Sequence, residues 1–214
     1  FNDLKTDELV FLDITANREG RKISLDFVRN VGAEANMPFA VGGGIKTIDD
    51  IKEIINAGAE KVILNTFAFE NPDFIRMAAD EFGSSTIVVS IDVKKTMFGD
   101  KKVFIKSGKK KTKLSTIEFA KQVEDKGAGE IIINSIDMDG IMSGYDLELI
   151  KEISENVTIP VVAAGGAGSL DDFSKAVNEA NATAVAAGSM FVYHGPRKAV
   201  LINYPTKEEL MKIF

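Results

Sequence analysis

Three aspartates, Asp13, Asp92 and Asp137, each stand directly after a run of apolar residues. A carboxyl at the end of a buried strand is desolvated, which raises its pKa toward the range where it can both give and take a proton. One such Asp alone is more simply a loop cap or hydrogen-bond anchor; three on one rim make acid/base chemistry the stronger reading. Beside them are two glycine-rich turns, Val41-Gly42-Gly43-Gly44-Ile45 and Ala164-Gly165-Gly166-Ala167-Gly168. Turns of this kind leave backbone N–H groups uncovered, so that an oxyanion can approach them. Each is followed one strand later by a small polar pair, Asn65-Thr66 and Gly188-Ser189, able to donate to the same anion. Glycines of a single turn serve tight bends and close helix packing equally well. Two related turns on opposite sides of a site suit a substrate that carries a phosphate at both ends. With no Cys, and His194 as the only histidine, neither a thiolate nor a multi-histidine metal centre is available, so no metal and no cofactor are expected. His194, in His194-Gly195-Pro196, reads as a loop residue.

These groups need a common frame, and the hydrophobic periodicity supplies one. Short runs rich in Val, Ile and Leu alternate with stretches of 3.6-residue period, the pattern of βα units around a parallel sheet buried on both faces. The expected strands are Leu9–Ile14, Phe39–Gly42, Lys61–Leu64, Ile87–Ile91, Glu130–Asn134, Val161–Ala164 and Ala184–Ala187. Helices are expected over Leu25–Ala35, Thr47–Asn56, Pro72–Phe82, Thr116–Lys126, Leu147–Ser154 and Leu170–Asn178. Thr47-Ile48-Asp49-Asp50 opens one of them with a capping-type start, and Gly58 is placed to stop it. Alternation around Ser107-Gly108 predicts a β-hairpin over Val103–Leu114.

An internal repeat decides how the units assemble. An offset of 122 residues carries Pro38 onto Pro160, Gly43 onto Gly165, Gly44 onto Gly166, Asp49 onto Asp171, Asp50 onto Asp172, Asn56 onto Asn178 and Phe69 onto Phe191, without a gap. A repeat of about four βα units implies two half-barrels that close into a (β/α)8 TIM barrel. Residues 1–214 read as one barrel domain. Seven strands leave two edges of such a ring exposed. The opening Phe1-Asn2-Asp3-Leu4-Lys5 reads as the tail of a helix, so the first βα unit is expected to begin about 40 residues before Phe1.

Composition removes other classes. The 214 residues carry 26 Lys+Arg against 32 Asp+Glu, a formal net charge of −6, and are 45% hydrophobic. That excludes a disordered chain, and no apolar run has the length of a membrane span. The acidic balance argues against nucleic acid, and Lys109-Lys110-Lys111 reads as a solvated hairpin edge. Absence of Cys makes a reducing cytoplasm the expected compartment.

Several motifs together carry a specific resemblance: Asp7-Glu8-Leu9-Val10-Phe11-Leu12-Asp13-Ile14-Thr15, Val41-Gly42-Gly43-Gly44-Ile45, Leu64-Asn65-Thr66, Ser90-Ile91-Asp92, Gly127-Ala128-Gly129-Glu130-Ile131, Ser135-Ile136-Asp137, Asp139-Gly140 and Ala164-Gly165-Gly166-Ala167-Gly168. From about Asp7 to Phe191 the chain resembles the HisF family, the cyclase subunit of imidazole glycerol phosphate synthase. The resemblance implies a barrel that takes ammonia from a HisH-type glutaminase and combines it with a bis-phosphorylated ribulosyl formimino aminoimidazole substrate. Cleavage and ring closure then give imidazole glycerol phosphate and aminoimidazole carboxamide ribotide.

By the same resemblance Asp92 is one of two catalytic aspartates, its partner belonging to the family's first strand. Asp13, Asn134 and Asp137 fall where substrate is bound and oriented. Gly44, Asn65 and Thr66 match one phosphate site; Asp139, Gly140, Gly165, Gly166, Gly188 and Ser189 match the other. On the amino-terminal rim Glu8, Lys61 and Glu130 resemble the charged gate of an ammonia passage, with Glu60 placed to help dock the glutaminase. Read without the resemblance, those three charges form a structural salt-bridge ring, since that rim usually serves stability.

The chain also departs from the family pattern. Met138 replaces the Arg of its Asp-Arg-Asp-Gly motif, Ala164 replaces a Ser, and the tail from Phe191 to Pro205 replaces its His-Phe ending. That tail resembles HisF-like paralogues found with surface-polysaccharide (lipopolysaccharide) genes, which are thought to deliver ammonia to an amidotransferase that builds acetamidino sugars. Lys94-Lys95, Asn134 and Leu170-Asp171-Asp172-Phe173 agree with that branch. Three readings therefore stand: a cyclase of histidine biosynthesis, an ammonia-supplying paralogue in glycan amidination, and a non-catalytic scaffold.

Overall fold

The computed structural model describes residues 1–195 and 199–214. The strands are β1 (Leu9–Leu12), β2 (Phe39–Gly42), β3 (Lys61–Leu64), β4 (Ile87–Lys95), β5 (Lys101–Ile105), β6 (Lys110–Lys111), β7 (Glu130–Ser135), β8 (Val161–Ala164), β9 (Ala184–Val185), β10 (Tyr193–His194) and β11 (Ala199–Val200). The helices are α1 (Ala16–Glu19), α2 (Leu25–Glu34), α3 (Ile48–Asn56), α4 (Thr66–Glu70), α5 (Asp73–Phe82), α6 (Thr116–Asp125), α7 (Leu147–Ser154), α8 (Leu170–Asn178), α9 (Ser189–Val192) and α10 (Lys207–Leu210). One sheet runs β1-β2-β3-β4-β7-β8-β9, with every neighbouring pair parallel. Helices cover its outer face, and between the two lies a core that includes Val41, Ile51, Ile54, Leu64, Ile75, Val89, Phe119 and Ile131. This is a curled α/β wall of the TIM-barrel type.

The strand interior follows from simple alternation. Side chains two residues apart share a face, so Lys61, Ile63 and Asn65 form one inward column at β3, Val88, Ser90 and Asp92 one on β4, and Glu130, Ile132 and Asn134 one on β7. The middle level, Ala40, Ile63, Val88, Ile132 and Val162, is a buried apolar layer of its own. Charged groups lie below it and polar groups above it.

The repeat persists in hydrogen-bonding detail. At the start of α3, Asp50 Oδ2 accepts from the Lys46 and Thr47 N–H groups, and Thr47 Oγ1 accepts from Asp50 N–H. At α8, 122 residues on, Asp172 Oδ2 accepts from Gly168 and Ser169, and Ser169 Oγ accepts from Asp172 N–H. Both are capping boxes, which satisfy donors that a helix start otherwise leaves unpaired.

Three expectations are corrected. The hairpin is larger than Val103–Leu114: β4 runs on to Lys95 and pairs antiparallel with β5, which pairs with β6. Thr96–Asp100 has no alternation, with Met97 and Phe98 adjacent and exposed, and its flanks are rich in lysine, so the first turn carries no strand pattern. His194 stands in β10, paired with Ala199 of β11, and not in a loop; Pro196 of the same motif lies outside the described residues. Phe1–Lys5 forms successive turns and not α-helix. They do carry the ending of one: Thr6 N–H donates to Phe1 O, Lys5 N–H donates to Asn2 O, and Lys5 is left-handed with φ 54°, the Schellman pattern of a helix C-terminus.

Candidate active site

At the carboxyl ends of the strands a cleft of about 310 Å³ is lined by Asp13, Gly43, Gly44, Asn65, Thr66, Ser90, Asp92, Ser107, Asn134 and Asp139, among others. Asp92 is held from both sides. Asn134 Nδ2 donates to one oxygen at 3.0 Å and Asn65 Nδ2 to the other at 3.2 Å. Asn65 is itself fixed, because its Nδ2 also donates to Ser90 O at 2.9 Å and its Oδ1 accepts from the Thr66 hydroxyl at 3.1 Å. Burial pushes the Asp92 carboxyl above the usual carboxylate range; the two amides oppose that push and the negative Asp139 adds to it. A carboxyl with a raised pKa and an oriented pair of oxygens is equipped for proton transfer.

Asp13 has the opposite character. Its Oδ2 is paired with Arg21, and its Oδ1 accepts from the Thr15 hydroxyl and from the N–H groups of Thr15 and Ala16. The Arg21 guanidinium, helped by Thr15 and Ala16, lowers its pKa to about 2 against a smaller opposing effect of burial. Asp13 therefore stays ionised and orients its surroundings. Because the folded pKa lies below the ordinary value near 3.8, this pairing adds stability above about pH 4 and loses it as pH falls through about 2. Arg21→Ala is expected to return the Asp13 titration toward its ordinary value and shrink that acid-side loss. Carbon-13 NMR of the Asp13 carboxyl, with unfolding curves from pH 2 to 5, reads both effects.

The first group of anion-binding candidates comes together. Gly44 (φ 69°) lets the turn pass under the Arg21 carbonyl, where any Cβ would overlap, and Asn65 and Thr66 line the same end of the cleft. The second group lies beside it. A Cβ on Gly140 would reach 3.8 Å from Ser189 Oγ; Gly165 abuts Asn134 and Ser135, and Gly166 abuts Gly144 and Met138. Of that group Asp139 lines the cleft, and Gly188 is the residue before α9. Asp137 is not brought in: it accepts from the Lys95 N–H at 2.7 Å and anchors the hairpin. Sequence reasoning missed Arg21 and Ser107. Arg21 carries no motif, and the alternation that puts Ser107 on a hairpin gives no sign that the hairpin reaches the cleft.

At the opposite end of the inward columns, Lys61 Nζ bonds Glu8 and Glu130, both at 3.0 Å. Burial works against the ammonium, but the two carboxylates outweigh it and hold its pKa above the ordinary lysine value. Glu60, next in sequence, is exposed. Among the described residues no cluster of His, Asp and Glu is arranged to hold a metal ion, and no helix is long and apolar enough to cross a membrane.

A barrel wall with a duplicated glycine turn and a poised carboxyl on its carboxyl rim belongs to a known class of biosynthetic enzymes. The family model described as histidine biosynthesis protein matches residues 1–196, and the chain belongs to that family. Within it the relatives are HisF proteins. Imidazole glycerol phosphate synthase subunit HisF of Alkaliphilus metalliredigens is 47% identical over 194 residues, 91% of this chain and 77% of the relative. The putative imidazole glycerol phosphate synthase subunit hisF3 of Vibrio vulnificus is 45% identical over 213 residues, covering 99% and 82%. The putative subunit hisF2 of Pseudomonas aeruginosa is 43% identical over 210 residues, covering 98% and 84%. This chain is a member of the HisF family.

Proposed function

We propose that this protein is the cyclase subunit of an imidazole glycerol phosphate synthase, taking ammonia from a HisH-type glutaminase seated on the amino-terminal rim. On the carboxyl rim it converts the bis-phosphorylated ribulosyl formimino aminoimidazole substrate to imidazole glycerol phosphate and aminoimidazole carboxamide ribotide. The observation that carries this reading is the geometry of the inward columns. Lys61 and Glu130 start the strands whose other ends carry Asn65 and Asn134, the two groups that hold Asp92. Four residues of strand separate the levels, about 13 Å at 3.3 Å per residue, and the layer between is apolar. Neutral ammonia crosses such a layer more easily than ammonium. Asp92 then shuttles protons, while the Gly44, Asn65 and Thr66 end and the Gly140, Gly165, Gly166, Gly188 and Ser189 end each take one phosphate.

The test is turnover of the ribulosyl formimino substrate by the purified protein with excess ammonium salt and no partner, then with glutamine and a HisH-type glutaminase. Turnover under both conditions supports the reading. Lys61→Ala is expected to cut glutamine-dependent activity about ten-fold, equivalent to about 1.4 kcal/mol, and to leave ammonia-dependent activity near its starting value. Equal loss of both would refute a gating role.

Met138 and the tail favour a second reading, a paralogue that supplies ammonia to a sugar amidotransferase. Met138 packs against Gly166, placing a thioether where the family pattern has an Arg. In the tail the Tyr204 ring packs tilted against Phe191, with centroids 5.0 Å apart, and its hydroxyl donates to Asp7 at 2.7 Å. No turnover by folded protein under either condition favours this reading.

A further inference from the structure

Charge in this chain is segregated. Residues 94–113 hold nine Lys and one Asp, so the remaining 194 residues carry 17 basic against 31 acidic side chains. A doubly phosphorylated substrate approaching such a molecule is repelled by most of its surface and attracted by one segment. That segment is the double hairpin β4-β5-β6, and it is fixed over the cleft. Lys106 N–H donates to Thr66 Oγ1 at 2.9 Å, and the Ser107 hydroxyl donates to Ile14 O at 3.0 Å. Val103 and Ile105 are buried, and Lys101 Nζ is tied to Asp146 at 2.8 Å and to Glu148 at 2.7 Å.

The turn itself is unusual. Lys106, Ser107 and Gly108 are successively left-handed, with φ of 57°, 55° and 74°, a conformation that Lys and Ser rarely adopt. Two hydrogen bonds to cleft residues hold it there. Lys109, Lys110 and Lys111 follow, all exposed, and none makes an ion pair among the described residues. Ser107 lines the cleft, so these lysines begin two residues from its wall. Repulsion among unpaired like charges has no structural benefit here.

We infer that the 94–113 hairpin is a cationic capture arm that draws a polyanionic substrate into the Gly44–Thr66 end of the cleft, with Lys109, Lys110 and Lys111 as its steering residues. The inference rests on the bis-phosphorylated substrate proposed above. The arm reverses the sign of the local potential where the global charge opposes binding. Steering of this kind raises association rates by 10 to 10³-fold and falls steeply with ionic strength, because the screening length shrinks from about 30 Å at 0.01 M salt to about 8 Å at 0.15 M. The arm contributes no group to the chemistry.

The test compares K109Q/K110Q/K111Q with K52Q/K121Q/K151Q, which removes the same charge from three helices outside the arm, and with K109R/K110R/K111R. For each, kcat/KM is measured from 0.01 to 0.5 M salt with excess ammonium, beside calorimetric binding of inorganic pyrophosphate. At low salt the arm variant is expected to lose about ten-fold in kcat/KM with kcat unchanged, and to converge on the wild type at 0.5 M; the helix and arginine variants stay within about two-fold. Turnover in which the arm and helix variants behave alike overturns the arm and leaves the cyclase reading standing. Pyrophosphate binding weakened by the arm variant alone, without turnover in any protein, supports the arm and overturns the cyclase reading. Pyrophosphate binding insensitive to the arm lysines overturns the arm.

Discussion

Asp92→Asn is expected to lower ammonia-dependent turnover by at least about 10²-fold, the usual scale for losing a positioned general acid/base, while the protein stays folded. The reason for both halves is local. Asn has the shape of Asp but cannot take or give the proton, and its amide would face two other amides. Asn65 is locked by Ser90 and Thr66, so the new side chain must turn its oxygen toward Asn65 and its NH2 toward Asn134. Asn134 accommodates this by presenting its own oxygen. Stability should therefore hold, and at neutral pH it should rise slightly. Burial raises the folded pKa of Asp92, so the wild type carries a penalty that is absent below about pH 4, where folded and unfolded forms are both protonated. The penalty grows as pH rises through that value. Turnover and unfolding curves of both proteins at pH 3 and pH 7 check the two statements. Unchanged turnover would remove Asp92 from the chemistry.

Gly44→Ala should be the most damaging single methyl group on the carboxyl rim. Two costs add. A left-handed Ala loses about 1–2 kcal/mol relative to Gly, and the added Cβ would overlap the Arg21 carbonyl and press on Lys22. Arg21 holds Asp13, and Lys22 is paired with Asp50 at 2.8 Å and with Glu53, so the turn cannot yield without breaking ion pairs. A total loss of about 3–4 kcal/mol lowers Tm by roughly 10 °C in a chain of this size. Gly20→Ala is the control: its φ is 68° but nothing lies within 4 Å of the new methyl, so it should show the conformational cost alone. KM for the substrate should rise at least about ten-fold in the first variant and stay unchanged in the second. Similar Tm losses for both would show that the overlap is relieved at no cost.

The parts of the molecule legible in the sequence were those fixed by period and by repetition. Phe39–Gly42, Lys61–Leu64, Val161–Ala164, Leu147–Ser154 and Leu170–Asn178 form as their patterns predict, because each is bounded by a cap, a Gly or a Pro that stops propagation. The capping-type start at Thr47 is legible in the sequence, and the 122-residue offset sets Asp172 opposite Asp50, while the second capping box at Ser169 is a finding of the structure. What alternation could not reveal was which charged residues meet across the sheet. The hold of Asn65 and Asn134 on Asp92 depends on the register of three strands, and register is a property of pairing and not of any one strand. The arm over the cleft escaped for a related reason. Lysine-rich strands resemble solvated edges, and only the two hydrogen bonds from Lys106 and Ser107 show where the hairpin lies.

The parity of the inward columns sets a rule for how such a molecule can change. Along β3 and β7 the same alternation that points Lys61 and Glu130 inward also points Asn65 and Asn134 inward. Deleting or inserting one residue within either strand would turn one end of its column outward while the other kept its aim. Only changes by two residues preserve both, and those alter the length of the path between them. The two ends can therefore diversify by substitution but not by sliding. A lineage that abandoned the chemistry on one rim would still keep strands of the same length, and the Lys61 ion pairs below would outlast the groups above them.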